Sequence, residues 1–176
     1  KKLKIYKLPK IYRNNNFNSF YFEKKKFRNK LLKLRPKAII HFAGLRKLNC
    51  EKNKYFTNKS IVTITKKLLS FEKYLKDTMF IYISTDHVFD GRGRNYKESN
   101  LKNLKPNTAL GKAKVMAEKE VMKKINNWNI IRPSAVIDDP RLTSFVKDKI
   151  KKNVKIELYT NIFFTPVLSD DLSKIV

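Results

Sequence analysis

Glycine is scarce in this chain: there are four, Gly44, Gly91, Gly93 and Gly111, in 176 residues. None sits in a turn of the G-x-x-G-x-x-G kind, the arrangement that lets backbone approach a pyrophosphate at a helix N-terminus. Cysteine is scarcer still. The single Cys50 excludes an internal disulfide and agrees with a reducing compartment. Neither His41 nor His87 stands at a spacing that argues for pairing with it, so Cys50 reads as structural or incidental rather than as a nucleophile. No run approaches the roughly 18 consecutive apolar residues of a membrane span, and the opening KKLKIYKLPK lacks the uninterrupted apolar segment of a signal peptide. A soluble, cytoplasmic protein without a membrane partner is the expectation.

Acidic residues are also few, 15 against 41 lysines and arginines, for a formal charge of +26. Clustered positive charge would gain affinity for nucleic acid by counterion release. Here lysines outnumber arginines 33 to 8, are scattered over the whole chain and are accompanied by 17 asparagines, a pattern of biased composition more than of a binding patch. No zinc spacing, aromatic RNA-binding signature or basic region with heptads is found. No specific nucleic-acid partner is expected, although a positive field favours any phosphate-bearing ligand.

What the chain does have is alternation. Phe27, Leu31, Leu32 and Leu34 recur at helical spacing between Phe22 and Arg35, and Pro36 ends that helix. KAIIHF (37–42) is a short apolar strand closing on Ala43 and Gly44. Ile61, Ile64, Leu68, Leu69 and Phe71 mark an amphipathic helix over Asn58–Leu75, and Met79–Ser84 is a second strand. A polar loop over 85–106 precedes a helix over Leu110–Lys124 with Val115, Met116 and Val121 inward. WNIIR (128–132) is a third strand, stopped by Pro133. A helix over Pro140–Lys152 and a strand over Val154–Tyr159 follow. Strands alternating with helices predict parallel βαβ units with right-handed crossovers, hence a doubly wound α/β fold. The three strands end in Ala43-Gly44, Ser84-Thr85 and Pro133-Ser134, and in open α/β sheets ligands bind outside the carboxyl ends of the strands.

Other polar groups read more simply. Asp86 and Asp90 could form a carboxylate pair, but a strand-exit turn accounts for Asp90-Gly91. His87 suits a loop or packing role better than that of a base. Asp170 and Asp171 suit the first turn of a final helix, where carboxylates complement the dipole. On its own Thr85 is a polar strand terminus and Lys114 a solvated helix lysine.

The ordered pieces RPKAIIHFAGL, CEKNKYFTNKS, FIYISTDHVFDG, YKES, GKAKVMAEK, IIRPS and TPVLSDDLSKIV, spanning about Phe27 to Val176, resemble the dTDP-4-dehydrorhamnose reductase group of the extended short-chain dehydrogenase/reductases. The methionine adenosyltransferase regulatory β subunit is similar too. ISTDHVFDG is the most specific piece. The resemblance implies a Rossmann-type parallel sheet, one domain over 1–176 with a divergent segment over 1–22. It implies an NADP or NAD cofactor beside a nucleotide-sugar substrate, in rhamnose biosynthesis, with a protein partner or homodimer as a further expectation. By match, Thr85 binds the keto oxygen and Lys114 is the helix lysine that holds the cofactor ribose. Ala43, Gly44, Ser84, Pro133 and Ser134 line the cofactor, and Asn58, the family's helix-start asparagine, is a cofactor-binding residue too.

Two departures stand out. The family's proton-donating tyrosine belongs four residues before the helix lysine, a spacing that puts both on one helix face; here that position is Leu110, which has no proton to give. The glycine turn is missing as well, and the segment over 1–22 is too short and polar to supply the family's first βαβ unit. The chain also stops near the TP-x-x-x-x-DL element, ahead of the usual substrate-domain helices. The expectation is a reductase-like fold with catalysis reduced or absent; the alternative is a non-catalytic regulatory or binding module of the same fold.

Overall fold

The computed structural model describes residues 24–42, 47–92, 96–99, 104–138, 140–156 and 165–175. The chain divides into two compact units, residues 1–35 and 36–176. In the first, helix α1 (Lys24–Leu34) buries Phe27 and Leu31, one turn apart. It ends at Arg35, whose φ of 41° is left-handed and whose N–H reaches back to the Leu31 carbonyl; Pro36 then forbids another helical turn.

The second unit is built on three strands, β1 (Ala38–His41), β2 (Met79–Ile83) and β3 (Trp128–Ile131), in the spatial order β1-β2-β3 and parallel throughout. Ile40 pairs with Ile81, which pairs with Asn129. The central strand carries the core: Phe80, Ile81, Tyr82 and Ile83 are all buried. The parallel sheet and its α/β order are those expected from the sequence.

Both crossovers step the same way along the sheet, so right-handed connections put their helices on one face. The first runs through α2 (Lys47–Lys52), α3 (Lys54–Asn58), a π-type turn (Lys59–Thr63) and α4 (Ile64–Leu69). The second is α5 (Ala109–Lys124), which packs against that run. The apolar stripe Ile61, Ile64, Leu68, Leu69 and Phe71 is buried as its spacing predicts. Its helix starts earlier than Asn58, because the Asn53 side chain caps α3 by accepting from Phe56 N–H at 2.9 Å. The helix also stops short of Leu75, at Ser70, before a tight turn over Glu72–Tyr74.

On α5 the inward face is Leu110, Ala113, Lys114, Ala117, Glu118 and Val121, all buried. Ala113 and Ala117, with no side chain beyond Cβ, let the helix lie close to its neighbours. Met116, expected inward, is 47% exposed: it lies about half a turn from Lys114 and Glu118, and those two polar residues occupy the face that an apolar stripe would assign to it.

α6 (Pro140–Lys151) follows β3, and α7 (Ser169–Ile175) carries Asp170 and Asp171 in its first turn, as anticipated. A parallel bridge between Val136 and Val167 brings the chain segments before these two helices together. Residues 154–156 are irregular rather than the start of a strand, and the rest of that expected strand lies outside the described residues.

Candidate functional site

At the carboxyl end of β2 the chain leaves the sheet as Ser84 and Thr85, then makes one tight turn over Asp86–Val88. Thr85 is extended and caps that turn, its Oγ1 accepting from His87 N–H at 3.3 Å. The same hydroxyl donates to Asp86 Oδ1 at 3.1 Å, while Ser134, just past β3, donates to Asp86 Oδ2 at 2.6 Å. Asp86 N–H also reaches the Pro133 carbonyl at 3.2 Å. One carboxylate therefore joins the ends of two strands and holds a hydroxyl from each. Asp86 was weighed in the sequence only as a partner of Asp90, and nothing in its spacing from Ser134 announces this role.

Lys114 is buried, not solvated. Its Nζ donates to the Ile83 carbonyl at 2.7 Å and lies 4.7 Å from the centre of the Tyr82 ring. Removal from water pulls its pKa down to about 8, against the opposing pull of the nearby Glu118 carboxylate. Leu110 stands one turn earlier on the same buried face. Glu118, one turn later, forms a forked pair with Arg132, Nε to Oε1 at 3.0 Å and Nη2 to Oε2 at 2.7 Å. That pair ties α5 to the end of β3, and the guanidinium continues over the Phe89 ring. The signal that could have found Glu118 is its spacing of four from Lys114.

The start of α5 is equally constrained. Thr108 caps it by accepting from Gly111 N–H, and Glu51 accepts from Ala109 N–H. A Cβ on Gly111 would stand 2.0 Å from the His87 carbonyl oxygen and 2.8 Å from Pro106 Cβ, so the helix and the Asp86–Val88 turn touch here through bare backbone. The backbone of His87 thus packs directly against the first turn of α5. Beyond it Asp90 forms its turn, accepting from Arg92 N–H and from the Tyr96 hydroxyl; those bonds hold its carboxyl below the usual range. Tyr96 is stacked on Phe89.

The remaining candidates divide as follows. Ser84 is buried at the β2 terminus, with its hydroxyl unpartnered. Asn58 is exposed within the helical run and does not open it. Ala43 and Gly44 lie outside the described residues. Cys50 is buried, which pushes its thiol up and away from reactivity. Among the described residues, no cluster of His, Cys, Asp and Glu is suited to a metal, and no helix is long and apolar enough to cross a membrane.

Known proteins share this arrangement of strands and helices. The chain superimposes on a dTDP-4-dehydrorhamnose reductase from Clostridium acetobutylicum with a TM-score of 0.72 at 21% identity, over 84% of this chain and 53% of that one. A hypothetical dTDP-4-dehydrorhamnose reductase from Sulfolobus tokodaii gives 0.72 at 24% identity, over 85% and 53%. The Bacillus anthracis dTDP-4-dehydrorhamnose reductase in complex with NADP gives 0.61 at 20%, over 76% and 48%. The chain thus spans about half the length of these structures. No curated protein sequence matched it. The family model described as the RmlD substrate binding domain matches residues 19–176, nearly the whole chain, and the chain belongs to that family.

Proposed function

We propose that this chain is a nucleotide-sugar-binding module of the dTDP-4-dehydrorhamnose reductase fold that does not itself reduce a 4-keto sugar. The observation that carries this reading is Leu110, buried on the face of α5 one turn before Lys114, where a reductase of this type needs a phenol. General acid catalysis contributes about 10²- to 10⁴-fold, and a leucine supplies none of it.

A nicotinamide cofactor fits the donor set poorly. Lys114 would have to leave the Ile83 carbonyl and the Tyr82 ring to reach a ribose, and it lies 6% exposed beneath them. The sugar side is better provided. Thr85, fixed by Asp86 at the end of β2, offers a hydroxyl oxygen where the fold binds ligands, and the +26 charge favours a diphosphate. Tyr96, the nearest alternative phenol in the sequence, donates to Asp90.

The test is NADPH oxidation with dTDP-4-dehydrorhamnose, for the unmodified chain and for Leu110→Tyr. No turnover above background is expected from the first and little or none from the second, because a restored acid leaves Lys114 committed to the Ile83 carbonyl. Robust turnover by the unmodified chain would overturn the proposal.

A further inference from the structure

Helix α6 is specified at both ends by its own sequence. It opens at Pro140, whose fixed φ and missing N–H suit a first turn, and it closes at Asn153, which takes the left-handed conformation with a φ of 50°. There Asn153 N–H reaches the Ile150 carbonyl and Val154 N–H that of Lys149, each at 3.0 Å, so two of the last carbonyls are satisfied. Between these ends the apolar side chains are not buried. Phe145 is 54% and Ile150 66% exposed, and Val146 and Val154 are exposed with them. Every side chain from Thr143 to Val154 lies at the surface except Lys149, which is half-buried. On a helix of 3.6 residues per turn, Phe145, Val146 and Ile150 fall within an arc of about 140°, with Lys147, Asp148 and Lys151 outside it. Lys149 falls inside the arc, and its ammonium stands 5.8 Å from the centre of the Phe145 ring.

A helix of 12 residues holds little structure without a packed face, so the stripe calls for an occupant, and charge and area decide which. Five lysines, Lys147, Lys149, Lys151, Lys152 and Lys155, stand here with one acid, Asp148. A second copy seated symmetrically on the stripe would set these lysines against their like. A stripe of about 18 Å by 10 Å on such a helix offers roughly 200 Å², well short of the about 800 Å² per partner that a stable protein interface buries. A bilayer surface has no such minimum. Apolar side chains sink beside the headgroups, and each lysine near an anionic leaflet adds about fivefold in partition. Lys149 suits that setting, since a lysine stem lies along apolar surroundings while its head stays among charges. We propose that α6 is an interfacial helix that lays Phe145, Val146 and Ile150 on an anionic lipid surface. The lack of a spanning segment, which in the sequence alone argues against a membrane partner, does not bear on a helix that lies in the interface without crossing it. The proposal is independent of what the strand-end site binds.

The test is flotation of the full chain with vesicles of phosphatidylcholine alone and of equal parts phosphatidylcholine and phosphatidylserine. The unmodified chain should float with the mixed vesicles and not with phosphatidylcholine alone. A chain of +26 adheres to any anionic surface, so the deciding variant keeps every charge: Phe145→Ser combined with Ile150→Ser. It should bind the mixed vesicles at least about tenfold more weakly. Met116→Ser, which removes a comparably exposed side chain from α5, should bind as the unmodified chain does. The gap between the unmodified chain and the double variant should persist at about 0.5 M salt, where charge is screened. If the double variant does not fold, Phe145→Ala decides by the same comparison, with a loss of about threefold or more expected. Failure of the unmodified chain to bind the mixed vesicles overturns the proposal. Equal binding by the double variant overturns it too, since net charge alone would then account for adsorption. So does a vesicle-free chain that sediments as a dimer and becomes monomeric in the double variant, which would assign the stripe to a second copy.

Discussion

Glu118 and Arg132 meet with almost no access to water, the carboxylate fully buried and the guanidinium side chain 11% exposed. A pair of this kind adds little over an apolar substitute, but removing one partner leaves the other charge desolvated and alone. Glu118→Ala should therefore destabilise the fold by about 3–5 kcal/mol. Adding Arg132→Met to it should recover part of that loss, read from denaturant midpoints of the four members of the cycle. If the Glu118→Ala loss is no larger than that of an exposed pair such as Lys66–Glu120, the burial argument fails. The pairing was not legible in the sequence, where two charges 14 positions apart look like any two of 56 charged residues, 41 basic plus 15 acidic; only the spacing of Glu118 from Lys114 offered a signal. Thr85 and Ser134 were singled out only because strand-end motifs pointed at them, and Lys114 only because the helix motif GKAKVMAEK did. Lys114 among 33 lysines looks solvated until the packing of α5 shows otherwise. Gly111 is a related case: an isolated glycine in a helical pattern signals close approach, but which backbone approaches it is a tertiary fact.

At the scale of elements, β1 is tied to the first crossover through a buried polar contact. His41 Nε2 lies 3.0 Å from Thr65 Oγ1, and that hydroxyl already donates to the Ile61 carbonyl at 2.7 Å. The imidazole must then donate, which fixes the tautomer with hydrogen on Nε2. Burial first, and the Lys114 charge second, lower the His41 pKa from 6.5 to about 3. The unfolded chain thus binds a proton between those values that the folded chain refuses, and stability rises with pH across that window. As pH falls through 6.5 toward 3, the unmodified chain should lose stability more steeply than His41→Gln, which can still donate to Thr65 and does not titrate. Parallel acid-denaturation curves for the two would contradict the buried neutral imidazole. The elements themselves were well foretold, since short β-branched runs bounded by proline or small residues leave few alternatives to strands. The boundaries of the crossover helix were not: apolar periodicity marks the buried stripe, whereas the helix starts at a cap, Asn53, that lies outside that stripe.

For the whole molecule, the family's parallel sheet and a buried Lys114 coexist with Leu110 one turn before that lysine. The central claim is that Lys114 stays with the Ile83 carbonyl and the Tyr82 ring rather than holding a cofactor. The scattered lysines do not bear on this, except that a field of +26 draws any polyanion weakly, and such attraction fades as salt screens it. NADPH fluorescence titrated into the chain, at about 0.15 M and again at about 0.5 M salt where the Debye length is short, is the most direct measurement. The account predicts a weak, unsaturated rise that disappears at the higher salt and is unchanged in Lys114→Met. Saturable micromolar binding that survives high salt and is lost in Lys114→Met would show that Lys114 leaves the Ile83 carbonyl to hold the cofactor, and would contradict it.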